Sequence, residues 1–125
     1  MSRFMLSLKV ITSNYQEIST YVFDEIDAGL SGSTSLTVAK KFAKISKNTQ
    51  VIAISHLPQI CAMSDLSLKI EKVEKDGKTR TTVRRLDKDE KREEIVRIIG
   101  GASSEVAKSH AEEMILSAEE FKKSL

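Results

Sequence analysis

Apolar residues recur along this chain with two different periods, and the switches between them divide it into elements. Phe4, Leu8 and Ile11 fall at i, i+4 and i+7, with Met5 and Leu6 widening the stripe, which predicts a helix with one buried face over residues 2–13. Residues 20–23 and 50–54 are short runs of β-formers, Thr-Tyr-Val-Phe and Gln-Val-Ile-Ala-Ile, and read as buried parallel strands. Between them Ser31, Gly32 and Ser33 offer helix N-cap positions. Leu36, Ala39, Phe42 and Ala43 then form an apolar helical stripe up to about Ser46. Together these make a βαβ unit, for which a right-handed crossover is the rule.

Downstream the period changes. Pro58 suits the first turn of a short helix ending near Met63, after which Leu66, Leu68 and Ile70 alternate with Ser67, Lys69 and Glu71 as in a half-buried strand. Asp76-Gly77 signals a tight hairpin turn, and a two-residue loop there sets Lys75 against Lys78 and Ile70 against Val83 on one apolar face. The returning strand is expected over residues 78–86. Asp87 or Asp89 can cap a following helix that buries Ile95, Ile98 and Ile99, and Gly100-Gly101 can end it in the left-handed conformation. A last amphipathic helix starts near Ser104, with Ala107, His110, Ala111, Met114, Ala118 and Phe121 on its inner stripe. His110 reads there as a packed, hydrogen-bonded residue.

At 125 residues, 40% apolar and 30% charged, the chain suits one globular α/β domain and excludes collagen-like and low-complexity classes. Twenty Lys and Arg against eighteen Asp and Glu leave a net charge of +2, too small to argue nucleic-acid binding from the total. The lone Cys61 cannot form an intramolecular disulfide, and no Cys/His cluster has zinc-ligand spacing, so a reducing, cytoplasmic setting is expected. No apolar run approaches the roughly 20 residues of a membrane helix, and a signal-peptide stretch is absent from the N-terminus. A helix that opens at the second residue with no cap upstream raises the expectation of a segment cut from a longer protein.

The chemistry concentrates where the first strand meets adjacent acids, Tyr21-Val22-Phe23-Asp24-Glu25, and where His56 follows the second strand. Ligands of open parallel sheets bind outside the carboxyl ends of the strands, so these groups share the edge where a ligand would lie. Neighbouring carboxylates suit a Mg²⁺-nucleotide site, one holding the metal directly or through water and the other orienting or deprotonating a water, with a histidine contacting phosphate. The plainer alternative is that the two acids merely end a strand and His56 closes a loop. Lys78, Arg80, Arg84 and Arg85, with Lys69, make the hairpin locally basic and open a second alternative, a non-catalytic module binding DNA or a protein. Acidic neighbours Glu71, Glu74 and Asp76, and the absence of interleaved aromatics, favour a solvated face instead.

Residues 21–32, Tyr-Val-Phe-Asp-Glu-Ile-Asp-Ala-Gly-Leu-Ser-Gly, resemble the Walker B strand and D-loop of ABC-type ATPase heads in the structural-maintenance-of-chromosomes group. Residues 54–60, 81–86 and 98–101 are similar to the H-loop and closing segments of the RecN family of bacterial DNA-repair ATPases within it. The resemblance implies the C-terminal lobe of an ABC-type P-loop ATPase head, with parallel strands, flanking helices, a β-hairpin and C-terminal helices, over residues 1–125. It implies ATP and Mg²⁺ as cofactors, Asp24 supporting the metal through water, Glu25 as the catalytic carboxylate and His56 as the switch histidine at the γ-phosphate. Asp27 and Ser31 would lie in the D-loop that crosses to the nucleotide of a partner head. The implied partners are a second head in a homodimer, the N-terminal half of the same head, and DNA during double-strand-break repair and recombination, in the cytoplasm at the nucleoid. Many ABC proteins carry an acid where Ser31 stands.

The phosphate-loop pattern G-x-x-x-x-G-K-[ST] does not occur. Gly77-Lys78-Thr79 has Lys72 where the first glycine belongs, and it sits between two strands rather than leading from strand to helix. Of the family's signature sequence only Ser2-Arg3 remains. Alone, the chain is therefore expected not to hydrolyse ATP, because positioning of the phosphates supplies nearly all the catalysis in phosphoryl transfer.

Overall fold

The computed structural model describes residues 19–125 except Ala28, Ser31, Asp76 and 101–103. The helix expected over residues 2–13 lies outside these. The order is β1 (Thr20–Phe23), α1 (Ser33–Ile45), β2 (Gln50–Ala53), α2 (Pro58–Met63), β3 (Leu68–Lys75), β4 (Lys78–Arg85), α3 (Lys88–Ile99) and α4 (Glu105–Lys123). This is a small mixed α/β arrangement of a parallel two-stranded sheet, an antiparallel hairpin and four helices among the described residues.

β1 and β2 pair in parallel, Tyr21 beside Val51 and Phe23 beside Ala53, with α1 as the connection. Alternation sends Tyr21 and Phe23 inward, where the Phe23 ring stands 4.7 Å from that of Phe42 on α1. Val22, Ile52 and Ile54 face the other way and are exposed. The expectation of strands buried on both faces is therefore corrected to one buried face, because α1 covers only one side of this sheet. On α1 the inward residues are Ser35, Val38, Ala39, Phe42, Ala43 and Ile45, and Leu36, placed on the buried stripe from sequence, is exposed. Gly32 occupies the N-cap position without a side-chain cap, and Ser35 Oγ donates to its carbonyl at 2.6 Å.

Local signals set the second half. Asp87 caps α3 with a reciprocal box: its side chain accepts from Glu90 N at 2.8 Å, and its own N donates to Glu90 Oε2 at 3.0 Å. Gly100 ends that helix at φ 82°, a left-handed conformation that suits glycine. Ser104 Oγ accepts from Ala107 N at 3.2 Å to open α4. Ile95 is fully enclosed between α3 and its neighbours, whereas Ile98 and Ile99 are half-buried. On α4, Ala107, Ala111 and Ala118 are buried, but His110 is exposed, which corrects its assignment to the packed stripe. It lines a shallow groove with Leu36, Lys40 and Gln59.

The hairpin has the expected register, Ile70 opposite Val83 and Lys75 opposite Lys78. Its orientation is the surprise. Lys69 and Arg84, a cross-strand pair, meet α3 through Glu94 and Glu90, with Glu71 bound to both cations. The charged face thus docks on the helix, while Leu68, Ile70 and Val83 are exposed on the opposite face. The apolar side of β3 and β4 was expected to be half-buried. In the described chain nothing packs on it.

Candidate functional site at the carboxyl edge of the parallel sheet

The two parallel strands run out together. Ile54 N donates to Phe23 O at 2.9 Å, extending the ladder one step past β2, so Asp24 and the Ser55-His56 pair emerge side by side. Asp24 is exposed, and its Oδ1 accepts from Glu25 N at 2.9 Å. Glu25 is also exposed and has φ 52°, the sole positive value at a non-glycine among the described residues. A left-handed conformation costs a side-chain-bearing residue about 1–2 kcal/mol, and such strain concentrates at functional turns. The chain then turns back through a hydrogen bond from Leu30 N to Asp27 O at 3.1 Å.

Asp27 joins the two strand ends. Its Oδ1 accepts from Ser55 Oγ at 2.6 Å, and its Oδ2 accepts from His56 N at 2.7 Å. The imidazole Nδ1 stands 2.7 Å from that same Oδ2. The carboxyl group is 8% exposed and the imidazole 84% exposed, so a buried side chain holds the base of a ring that stands in solvent. Ser55 Oγ also accepts from Leu57 N at 3.0 Å, at the N-cap of α2. Sequence reasoning placed Asp24, Glu25 and His56 on one edge but missed this bridge and Ser55 altogether. The sole available signal was a Ser-His pair just past one strand end and an acid four residues past the other.

At its far end α2 is anchored by Lys91, whose Nζ donates to Ala62 O at 3.2 Å and Ser64 O at 2.7 Å. Burial pushes the Lys91 ammonium below the usual lysine range. Burial likewise pushes the Cys61 thiol up, against a smaller opposing effect of Ser67, as befits a small packed hydrophobe rather than a nucleophile. Ser31 lies outside the described residues.

Curated relatives align over most of the chain. A DNA repair protein RecN of Halalkalibacterium halodurans is 47% identical over 115 residues, 91% of this chain and 20% of the relative. The Bacillus subtilis RecN is 43% identical over 123 residues, 98% of the chain and 21% of the relative. This chain is homologous to a segment of RecN. The Streptomyces coelicolor RecN extends the relationship, 35% identical over 119 residues, 94% of the chain. The chain spans about a fifth of the length of the RecN proteins it matches. No protein-family model matches it.

The RecN alignment with the Bacillus subtilis protein takes in nearly the whole chain, hairpin included. That hairpin keeps little free basic charge near α3, since Arg84 binds Glu71 and Glu90 and Lys69 binds Glu71 and Glu94. Hydrogen bonds hold Lys69 above the usual lysine range, Glu71 acting before Glu94. Among the described residues no helix is long and apolar enough to cross a membrane. Nor do three or more His, Cys, Asp or Glu side chains gather there as a metal cage.

Proposed function

We propose that this RecN-related segment is the C-terminal lobe of an ATP-hydrolysing head that works in DNA double-strand-break repair and recombination. The observation that carries the reading is the shared carboxyl edge of β1 and β2, where Asp24 and Glu25 follow one strand, His56 follows the other, and Asp27 ties the turn after β1 to Ser55 and His56. The relatives' name, DNA repair protein, supports the cellular setting, in the cytoplasm at the nucleoid.

Asp24 fits a magnesium site of the kind nucleotides complete. Its carboxylate is exposed and accepts one hydrogen bond, from Glu25 N, so it can offer oxygen to a hard cation that takes its other ligands from water and phosphate. Bound there with ATP, Mg²⁺ would supply neutralisation of phosphate charge. Glu25, next along the chain and exposed, orients and deprotonates the attacking water. His56 presents its imidazole to the γ-phosphate. The loop from Asp27 to Ser31 faces a second head. The phosphate-binding loop, absent from this sequence, would come from the N-terminal half of the same head.

Hydrolysis by the full-length protein that carries this segment tests the reading. Glu25→Gln is expected to lower turnover by roughly 10²–10⁴-fold, the usual contribution of a positioned general base, with nucleotide binding retained. The 125-residue chain alone should turn over ATP at background. Wild-type turnover by the Glu25→Gln protein would refute the proposal.

A further inference from the structure

We infer that Asp27 is the positioning residue for His56, locking the turn after β1 to the turn after β2 so that the imidazole moves only when the loop beginning at Asp27 moves. The inference rests on the hydrolytic reading for its consequence, but its geometry stands on the contacts alone.

A carboxylate this deeply placed loses its water, and burial of an anion is costly unless hydrogen bonds replace that water. Here both oxygens are used, Oδ1 by the Ser55 hydroxyl and Oδ2 by the His56 backbone N–H, and both donors come from the other strand end. Nδ1 of His56 lies 2.7 Å from Oδ2, a spacing that a proton on Nδ1 makes attractive and a bare lone pair makes repulsive, so the ring proton is assigned to Nδ1. The opposite edge of the ring, carrying Nε2, is then the edge presented to a ligand. Ser55 passes the constraint on, because its Oγ donates to Asp27 and accepts from Leu57 N at the start of α2. The unit of Asp27, Ser55, His56 and the α2 N-terminus therefore joins residues 28 and 29 positions apart in sequence. Asp27 directs its hydrogen bonds to the turn after β2. It converts displacement of its own loop, the one proposed to face a second head, into displacement of the imidazole.

Two measurements decide it. Nitrogen-15 NMR of the His56 ring in the 125-residue chain, at a pH that leaves the imidazole neutral, should find the proton on Nδ1 in the wild type and in Asp27→Asn, which keeps an acceptor. In Asp27→Ala the ring should relax to the Nε2-protonated form. A wild-type ring already protonated on Nε2 overturns the inference without any variant. In the full-length protein, Asp27→Ala should lower kcat by roughly 10–100-fold with KM little changed, as loss of a residue that orients a functional histidine does elsewhere, and Asp27→Asn should recover part of it. The Asp27→Ala/His56→Ala double variant should be no slower than His56→Ala, and additive losses overturn the inference. If Glu25→Gln leaves hydrolysis intact, the proposed function fails, and the ring tautomer still decides the role of Asp27.

Discussion

Ile70 and Val83 face each other across the β3–β4 ladder on the side turned away from α3, and each is 59% exposed. A paired apolar face with Leu68 beside it, left open to water, favours association with a second apolar surface. The chain is therefore expected to self-associate as its concentration rises. Ile70→Thr/Val83→Thr keeps β-branched side chains and should shift it toward monomer, at a stability change of about 1 kcal/mol or less. Sedimentation velocity over a concentration series, with urea unfolding of both proteins, checks this. A wild-type chain that stays monomeric throughout refutes it.

Glu25 offers a way to separate stability from chemistry. Its left-handed backbone should make Glu25→Gly stabilising: relief of about 1–2 kcal/mol exceeds the roughly 0.4–1 kcal/mol of freedom that glycine adds to the unfolded chain. Glu25→Gln keeps a side chain at the same φ and should leave stability unchanged. Denaturant midpoints of the three proteins give the comparison, and a destabilised Glu25→Gly would show that the carboxylate itself holds the turn.

The two halves of the molecule were not equally legible. The hairpin register, a cap at Asp87 or its neighbour Asp89, a helix start near Ser104 and a stop at Gly100 depend on residues a few positions apart, and each was readable from the sequence; the structure selects Asp87. Which face of a strand is covered depends on what packs against it, so Val22, Ile52, Ile70 and Val83 looked buried and are not. The edge holding Asp24, Glu25 and His56 followed from strand direction. The Asp27 bridge did not, because a hydrogen bond spanning 28 residues leaves no periodic trace. His110 misled because it falls in step with buried alanines at a position where the ring can reach water.

Acid should loosen the seam between hairpin and α3. Hydrogen bonds from Arg97 first, and then from Lys69, hold the Glu94 carboxyl below its ordinary value of 4.5. A carboxylate depressed in the folded state contributes stability that is fully present above the unfolded value and is lost as pH falls through the folded one. Stability should thus decline below about pH 4.5, and Glu94→Gln should flatten that decline while lowering stability at neutral pH. Thermal melts between pH 3 and 7, run on both proteins at fixed ionic strength, read it out; parallel curves would assign acid sensitivity to other carboxylates.

Because Lys69 and Arg84 attach the hairpin to α3 through Glu94 and Glu90, the attachment belongs to the class of interactions that dissolved ions weaken, while the Phe23–Phe42 contact belongs to the class they spare. Sodium chloride is then a selective tool, able to free two strands before the βαβ unit melts. Hydrogen exchange at 1 M salt would accelerate along β3 and β4 first, making this hairpin a lever whose tension the surrounding electrolyte sets.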